Sequence, residues 1–283
     1  MSNLLEIKNV RKSYGNKVVL KGISFNVPSG SIVGFIGDNG AGKSTTFKIV
    51  LGLISNDDGM VNIFGEENIN KNPKIKEKIG VVFDAANLPA HLTIKQLNKV
   101  FGKLFDSWDQ DNFHRLVSSF SLPVDKKVNE FSRGMSMKLS VAVALSHNAQ
   151  LLLLDEATGG LDSSSREEVL NELKSFASKE NGGILLSSHI MSDIEKIATH
   201  LVIIKEGEIL LNAEKDEVFE KYTIVDMDME KLNSLNQDIV VAKRNFDTYY
   251  SVLVSDKKQL PHDLVTKPIS MDDISLLLTR SNE

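Results

Sequence analysis

Short apolar runs separated by turn residues fill the first 36 positions of the chain. Apolar and polar residues alternate within these runs, and this period of two predicts β-strands. The predicted strands cover residues 4–7, 18–20, 23–27 and 31–36. A helical spacing follows from Gly42 until Gly52 and residues 56–59 end it. Its apolar face consists of Phe47, Val50, Leu51 and Ile54. We therefore expect an N-terminal antiparallel β-subdomain, and then a strand, a glycine-rich loop and a helix.

A strand, a helix and a second strand follow one another in the middle of the chain. Residues 151–154 are all leucine, a run that is too short for a helix and typical of a parallel strand buried on both faces. Residues 163–179 carry apolar positions at helical spacing, and residues 184–187 form the next apolar run. Residues 201–210 resemble a hairpin. The β-α-β order predicts an α/β fold with a mainly parallel sheet.

The remaining segments divide the chain into two parts. Residues 85–150 show helical periodicities at 94–104 and 113–120 and only weak strand signals, which predicts a helical insertion. Residues 216–283 predict a small α+β extension of strands and a final helix. We therefore expect one main domain over residues 1–215 and a C-terminal accessory module over residues 216–283.

Composition and charge exclude several classes of function. The net charge of −5 at pH 7 argues against nucleic-acid binding, which requires a basic surface to neutralise phosphates. The chain has no cysteine and its six histidines lack ligand spacing, so we expect no disulfide and no transition-metal site. No segment reaches the ~18 uninterrupted apolar residues that a membrane-spanning helix needs. We therefore expect a cytoplasmic protein whose membrane partner, if it has one, is another chain.

The strongest local motif is the glycine-rich run at residues 37–45, which follows a predicted strand and opens a predicted helix. It fits the pattern G-x-x-x-x-G-K-[ST] of a phosphate-binding loop, whose backbone N–H groups point at bound phosphate. Lys43 is predicted to reach the β- and γ-phosphates of ATP, and Ser44 to ligate Mg²⁺. The alternative is a chance glycine-rich turn. The nucleotide-binding residues predicted in this loop are Asn39, Gly40, Ala41, Gly42, Lys43, Ser44 and Thr45.

Two carboxylates, Asp155 and Glu156, follow the leucine run directly. They lie where parallel strands end, which is the edge at which open α/β sheets bind ligands. Asp155 is predicted to hold Mg²⁺, and Glu156 to orient and polarise the attacking water from outside the metal shell. An acidic pair after an apolar run is otherwise typical of a solvated strand end. Its place after a phosphate loop favours the catalytic interpretation.

With these motifs in this order, the chain resembles the nucleotide-binding subunit of ABC transporters over roughly residues 1–215. Residues 131–135, Phe-Ser-Arg-Gly-Met, are similar to the family's Leu-Ser-Gly-Gly-Gln signature. The resemblance implies that Ser132 and Gly134 present N–H groups to ATP bound by an opposite subunit. Arg133 replaces the first signature glycine. The same residues also fit an ordinary helix N-cap.

The resemblance assigns several further residues. His189 matches the switch histidine that contacts the γ-phosphate, and residues 157–162 resemble the D-loop through which paired subunits meet. Tyr14 matches the aromatic that stacks on adenine, although an exposed turn tyrosine is nearly as good an interpretation. Asp84 stands where the family usually carries glutamine. We expect it to help hold Mg²⁺ but to couple more weakly to the γ-phosphate, because an ionised carboxylate only accepts hydrogen bonds. The predicted catalytic residues are Lys43, Glu156 and His189.

The resemblance also implies a function and partners. One chain carries one phosphate loop and one signature segment, which face away from each other in this family. Two subunits, as a homodimer or as a heterodimer with a related ATPase, are therefore expected to enclose ATP and Mg²⁺ head to tail. We expect an exporter ATPase of the ABC-2-like group, held at the inner face of the cell membrane by an integral membrane permease. Residues 105–109 resemble subunits linked to Gram-positive antimicrobial-peptide or cytolytic-peptide export, so peptides, drugs or other amphipathic compounds are the expected cargo.

Two other functions remain open from the sequence. One is a soluble ABC ATPase acting in translation or DNA repair, although such proteins tend to carry two cassettes, long coiled coils or cysteine-based metal sites. The other is a regulatory subunit that binds ATP without hydrolysing it. Asp84 and Arg133 leave room for the second function, whereas the intact Lys43, Asp155 and Glu156 favour hydrolysis.

Overall fold

The structure is a computed structural model that describes residues 2–67, 69, 72–83, 88–179, 182–261 and 264–280. Within this part of the chain the strands are β1 (Asn3–Tyr14), β2 (Lys17–Pro28), β3 (Ile32–Ile36), β4 (Asp58–Ile63), β5 (Ile79–Val82), β6 (Leu151–Asp155), β7 (Gly183–Ser187), β8 (His200–Lys205), β9 (Glu208–Glu214), β10 (Thr223–Met227), β11 (Val240–Asn245), β12 (Tyr250–Val254) and β13 (Thr266–Lys267). The α-helices are α1 (Lys43–Val50), α2 (Pro73–Lys76), α3 (Ile94–Leu104), α4 (Gln110–Ser119), α5 (Arg133–Ala144), α6 (Ser163–Ala177), α7 (Met191–Ile197), α8 (Lys215–Lys221), α9 (Met229–Ser234) and α10 (Met271–Arg280). Among the described residues, no helix combines the length and the apolar character needed to cross a bilayer.

A six-stranded sheet forms the centre of the protein, with the strand order β5-β6-β7-β3-β8-β9. The first five strands in this order are parallel, and β9 returns antiparallel to β8 as the predicted hairpin. Every residue of β3, β6 and β7 is buried, as expected for parallel strands that are covered on both faces. The predicted α/β class with a mainly parallel sheet is confirmed.

Side chains of this sheet alternate between two apolar cores. On β6, Leu152 and Leu154 pack into the core shared with helices α3 to α7. Leu151 and Leu153 pack into the core shared with the N-terminal strands and α1. Burying a leucine completely contributes about 2 kcal/mol, so a polar residue at any of these positions would destabilise one core.

The N-terminal strands form a second, antiparallel sheet with the order β2-β1-β4. The strands predicted at residues 18–20 and 23–27 are in fact one strand, β2. Val10 pairs with Ile23 and Arg11 with Lys21, so Gly22 is an extra residue that bulges without ending the pairing. A period-two pattern is interrupted at a bulge, which is why one strand looked like two.

Two other predictions in this region need correction. Helix α1 ends at Val50, so Leu51 and Ile54 lie beyond it, because Gly52 adopts a φ of 65° and stops the helix. Strand β4 was not predicted. It begins at Asp58-Gly59, a turn signal, and its residues are mainly half-buried, so it lacks a clear alternation.

The predicted helical insertion contains α3, α4 and α5. The helices predicted at residues 94–104 and 113–120 correspond to α3 and α4. Helix α4 begins earlier than expected because the Asp109 carboxylate accepts a hydrogen bond from the backbone N–H of Asn112 at 2.8 Å and caps it. Helix α5 lacks a marked apolar stripe because it is buried against both β5 and α6, and a buried helix has weak periodicity.

A buried histidine connects α5 to the rest of the insertion. The His147 ring stacks on Phe105 with centroids 4.5 Å apart, and its two nitrogens lie 3.3 Å from the carbonyl oxygens of Val143 and Ile79. Burial lowers the pKa of His147, an effect that the two carbonyl oxygens oppose. The neutral imidazole is therefore the form that the folded protein favours.

Replacing His147 by glutamine is expected to flatten the dependence of stability on pH. The unfolded chain binds a proton at His147 near pH 6.5, whereas the folded protein resists it. The free energy of unfolding that this difference supplies is complete above about pH 6.5 and is lost as the pH falls below it. Urea unfolding between pH 7.5 and 5.5 measures the effect. The exposed His91→Gln variant should keep the wild-type slope, and an unchanged slope in His147→Gln would contradict the prediction.

The C-terminal strands form a four-stranded antiparallel sheet with the order β11-β12-β10-β13. One face carries its own apolar core, which includes Val225, Val252 and Leu232 of α9. The opposite face, through Ala242 and Leu253, joins the large core that also contains helix α10. Because α10 contacts β11 as well as α7 and β8, this helix packs the C-terminal sheet against the six-stranded sheet and its helices.

Candidate functional site

The glycine-rich loop joins β3 to α1 at the carboxyl edge of the main sheet. The Lys43 ammonium donates hydrogen bonds to the carbonyl oxygen of Gly37 and, at 3.2 Å, to that of Asp38. Lys43 is 7% exposed, and burial lowers its pKa, an effect opposed by the carboxylates of Glu156 and Asp155. The first turn of α1 contains no acidic residue that would offset the positive end of the helix dipole. The dipole therefore adds to the Lys43 charge where a phosphate would bind.

Two glycines hold the loop against neighbouring strands. Gly42 adopts a φ of 117°, and a Cβ there would lie 2.6 Å from Leu20 Cδ2 on β2. A Cβ at Gly37 would lie 2.3 Å from the carbonyl oxygen of Ile204 on β8. The loop therefore requires glycine at position 42 for its backbone conformation and at position 37 for its close approach to β8.

Substituting alanine for Gly42 is expected to lower the free energy of unfolding by about 2–5 kcal/mol. The estimate adds the cost of a left-handed backbone for a residue with a Cβ to the cost of overpacking against Leu20. Gly15→Ala is the matched control, because Gly15 also has a positive φ, 58°, but a Cβ there would meet no atom within 4 Å. Its cost should be about 1–2 kcal/mol. Equal urea-unfolding energies for the two variants would exclude the clash.

The carboxylate of Asp155 lies beside the phosphate loop. Strand β7 lies between β3 and β6, and Ser187 at its end pairs with both Phe35 and Asp155. The Ser187 hydroxyl donates to Asp155 Oδ1 at 2.5 Å, and the Ser44 hydroxyl donates to Asp155 Oδ2 at 3.1 Å. Two hydroxyls thus fix the carboxylate that the sequence predicts as a metal ligand.

Glu156 and His189 form the second half of the site. Glu156 has a φ of 57°, an unusual conformation for a residue with a side chain, and its backbone N–H donates to the Ser187 carbonyl at 3.2 Å. The backbone N–H of His189 donates to Glu156 Oε2 at 3.2 Å, and His189 Nε2 lies 3.2 Å from Glu156 Oε1. Burial raises the pKa of Glu156, while His189 and Lys43 oppose the rise. A buried carboxylate with a raised pKa is a better proton acceptor near neutral pH than a solvated one.

These elements enclose a cleft of about 760 Å³. That volume is in the range of small-ligand and cofactor pockets. The predicted residues that line it are Asn39, Gly40, Gly42, Lys43, Ser44, Thr45, Asp155, Glu156 and His189. Ala41 is buried behind the loop, where its carbonyl oxygen accepts from the backbone N–H of Gly207 at 3.0 Å.

The chain is similar in sequence to ATP-binding subunits of bacterial transporters. It is 32% identical to the bacitracin transport ATP-binding protein BcrA of Bacillus licheniformis over 251 residues, which are 88% of this chain and 81% of that protein. It is 35% identical to the lantibiotic transport ATP-binding protein SrtF of Streptococcus pyogenes over 219 residues, 75% of this chain and 92% of that one. A sequence model of the ABC transporter family matches residues 20–159. The chain belongs to the ABC transporter family.

A solved ABC structure agrees with this membership. The structure of the ATP-binding subunit of an ABC transporter superposes with a TM-score of 0.70 and 27% sequence identity, over 77% of this chain and 92% of that one. The chain is thus an ATP-binding and ATP-hydrolysing subunit of the ABC transporter family.

The ABC signature segment lies outside the cleft described above. Ser132 caps α5, with its hydroxyl accepting a hydrogen bond from the backbone N–H of Met135 at 3.2 Å. A Cβ at Gly134 would lie 3.3 Å from the carbonyl oxygen of Gly160 in the D-loop. A Cβ at Gly160 would in turn lie 3.1 Å from Arg133 Cδ, so the Arg133 side chain packs over the D-loop. The structure therefore brings the signature to the D-loop of its own chain and not to its own phosphate loop.

The roles of two other predicted site residues stay predictions. Tyr14, at the end of β1, is 50% exposed and does not line it, and the Lys12 ammonium lies 5.6 Å from the centre of its ring. Its adenine-stacking role stays a prediction. Asp84 lies outside the residues that the structure describes, so its metal-binding role also stays a prediction.

Several residues that line or support the cleft were not predicted. Ser187, which holds the Asp155 carboxylate, is one of them, although a hydroxyl at the carboxyl end of a predicted buried strand was a usable signal. The side chains contributed by β2 and by the β8–β9 turn had no such signal. They are Lys17, Val18, Val19, Lys21 and Glu206.

Proposed function

We propose that this subunit binds Mg²⁺-ATP in the cleft and hydrolyses it with its own Lys43, Glu156 and His189. The observation that carries the proposal is the convergence of these side chains with Ser44 and Asp155 at one edge of the sheet. Lys43, now bonded to loop carbonyls, would donate to phosphate oxygens. His189 is half-exposed and faces the same space, so its imidazole is accessible to a γ-phosphate.

The arrangement of Glu156 suits the activation of water. One carboxylate oxygen, Oε2, accepts the backbone N–H of His189 and is thereby fixed. The other, Oε1, is buried and lies 3.2 Å from His189 Nε2 without a hydrogen bond of ordinary geometry, so it can accept a proton from a water molecule. The raised pKa of Glu156 strengthens that basicity.

The residues at the mouth of the loop fit Mg²⁺. The Ser44 hydroxyl and the Asp155 carboxylate offer the hard oxygen ligands that Mg²⁺ prefers. Their oxygen atoms lie 3.1 Å apart. The bound ion would neutralise charge on the β- and γ-phosphates. The Ser187 hydroxyl keeps the Asp155 carboxylate turned toward Ser44.

We further propose that two ATPase subunits pair head to tail, so that ATP contacts the phosphate loop of one and Ser132 and Gly134 of the other. The signature segment packs on its own D-loop, away from the cleft, so a second subunit must supply it. The partner is a second copy of this chain or a related ATPase subunit. Pairing and release would then move a membrane partner through contacts that differ between the two states.

Mixing two inactive variants tests this pairing. Lys43→Ala destroys a phosphate loop and Ser132→Arg destroys a signature, so each homodimer has two damaged sites. A mixed dimer has one intact site, and an equimolar mixture should regain about a quarter of wild-type turnover, since half of the dimers are mixed. No recovery, with no ATP-dependent dimer on gel filtration, would point to a different partner subunit.

We propose an integral membrane permease as the transport partner, which would hold the subunit at the inner face of the membrane, and amphipathic peptides as cargo. The support is that the relatives named above are bacitracin and lantibiotic transport proteins. Co-expression with a candidate permease should bring this chain into the membrane fraction and raise the peptide concentration that inhibits growth. The Glu156→Gln variant should give the first effect and lack the second.

A further inference from the structure

Buried polar atoms without hydrogen-bond partners are concentrated in the segments that follow strands β6 and β7. Among the described residues there are five such side-chain atoms, and four belong to Glu156, Thr158, Arg166 and Asp193. Folded proteins leave few buried polar atoms unpaired, so a group of four in one region calls for an explanation. The proposed water site accounts for Glu156 alone.

The other three residues, which we name the Asp193 cluster, meet between two helices. Asp193 is in the first turn of α7 and is 3% exposed. Its Oδ2 lies 3.9 Å from Nε of Arg166 on α6. Thr158 is fully buried and lies close enough to oppose the rise that burial causes in the pKa of Asp193, yet its hydroxyl makes no hydrogen bond of ordinary geometry. One carboxylate therefore faces both a hydroxyl and a guanidinium.

The Thr158 hydroxyl and the Arg166 guanidinium are both connected to the D-loop at residues 157–162. Thr158 is part of the D-loop, two residues after Glu156. Arg166 Nη2 donates to the carbonyl oxygen of Leu161, near the other end of the D-loop, at 3.1 Å. Asp193 itself is four residues after His189. The carboxylate thus links the segment that follows Glu156 to the segment that follows His189.

The Arg166 guanidinium lies just beyond hydrogen-bond distance of the Asp193 carboxylate. A charge-assisted hydrogen bond from Arg to a carboxylate is about 2.7–2.9 Å long, roughly 1 Å shorter than the separation here. A small shift of α6 against α7 would therefore convert this approach into a hydrogen bond, and Arg166 would carry the shift to the D-loop through the carbonyl oxygen of Leu161. The same shift would act on Glu156, because the D-loop begins directly after it.

We propose that Asp193 is a positioning residue that sets the D-loop and, through it, the orientation of Glu156 toward His189. The proposal rests on the roles proposed above for Glu156 and His189. Asp193 is not among the described residues that line the nucleotide cleft. It acts through Thr158 and Arg166, and its removal should affect the hydrolytic step and leave ATP binding unchanged.

The test compares Asp193→Asn with Thr158→Val and the double variant in the full-length chain. Asparagine keeps the shape and removes the charge. Asp193→Asn should lower kcat by about 10- to 10²-fold, because a misplaced catalytic group loses rate steeply, and leave KM for ATP within about twofold. Thr158→Val should lower kcat in the wild-type background and have little further effect in the Asp193→Asn background. Additive effects, or an unchanged kcat, would overturn the proposal.

A matched control separates positioning from stability. Glu172→Gln removes a two-bond ion pair between α6 and Arg115 of α4, and both residues lie outside the D-loop and α7. It should lower the melting temperature and leave kcat at the wild-type value. If Asp193→Asn does not fold, Thr158→Val and Arg166→Lys must still lower kcat at unchanged KM, and failure of both to do so overturns the proposal. Full turnover by Glu156→Gln would instead remove the proposed role of Glu156.

Discussion

Replacing Glu156 by glutamine is expected to reduce ATP turnover by about 10²–10⁴-fold while ATP binding persists. Glutamine has nearly the same shape, so its carbonyl oxygen can still accept the His189 N–H, but it cannot take a proton from water. Phosphate release measures turnover, and equilibrium binding of labelled ATP measures affinity. The variant should also remain in the ATP-dependent dimer, because the step that opens it is blocked.

Glu206→Gln is the control for this prediction. Glu206 lines the same cleft from the β8–β9 turn, so the substitution removes one negative charge from the same surroundings. Its turnover should stay within about threefold of wild type, since a nearby screened charge contributes less than a proton acceptor. Comparable losses in the two variants would mean that general charge, and not the position of Glu156, controls hydrolysis.

Lys43→Ala is expected to abolish tight ATP binding and to lower turnover by about 10²–10³-fold. In the proposed site the buried ammonium would be the cation that the loop supplies to the phosphates, and alanine replaces it with an apolar methyl group. The carbonyl oxygens of Gly37 and Asp38 would also lose their donor, which loosens the loop. Titration with a fluorescent ATP analogue measures the loss of affinity.

The exposed Lys48→Ala variant controls for the loss of a positive charge on α1. Lys48 is in the last turn of the same helix, and its substitution should leave binding and turnover unchanged. Lys43→Arg is a second comparison, because it keeps the charge on a larger, planar group that does not fit the same two carbonyls. Normal binding by Lys43→Arg would show that charge suffices without the geometry of the loop.

The local parts of the site could be predicted because each depends on a few neighbouring residues. The phosphate loop is one such part: Gly42 needs its positive φ, and Lys43 follows at a fixed position in the helix that begins there. The leucine run before Asp155 is another, since only a strand buried on both faces tolerates it. By contrast, α5 has a weak pattern because it is buried almost all round, and the bulge at Gly22 broke the pattern of β2 in two.

By itself, the sequence determined the α/β class, the phosphate loop and the strand ends that carry Asp155, Glu156 and His189, because local periodicity and backbone restrictions specify all of these. Only the tertiary structure decided that β7 lies between β3 and β6, which places Ser187 against Asp155. It also decided that the signature packs on the D-loop and that Arg166 of α6 lies against Asp193 of α7. The reason is physical: such contacts join residues far apart in the chain, and the packing of whole elements, which no local pattern encodes, brings them together.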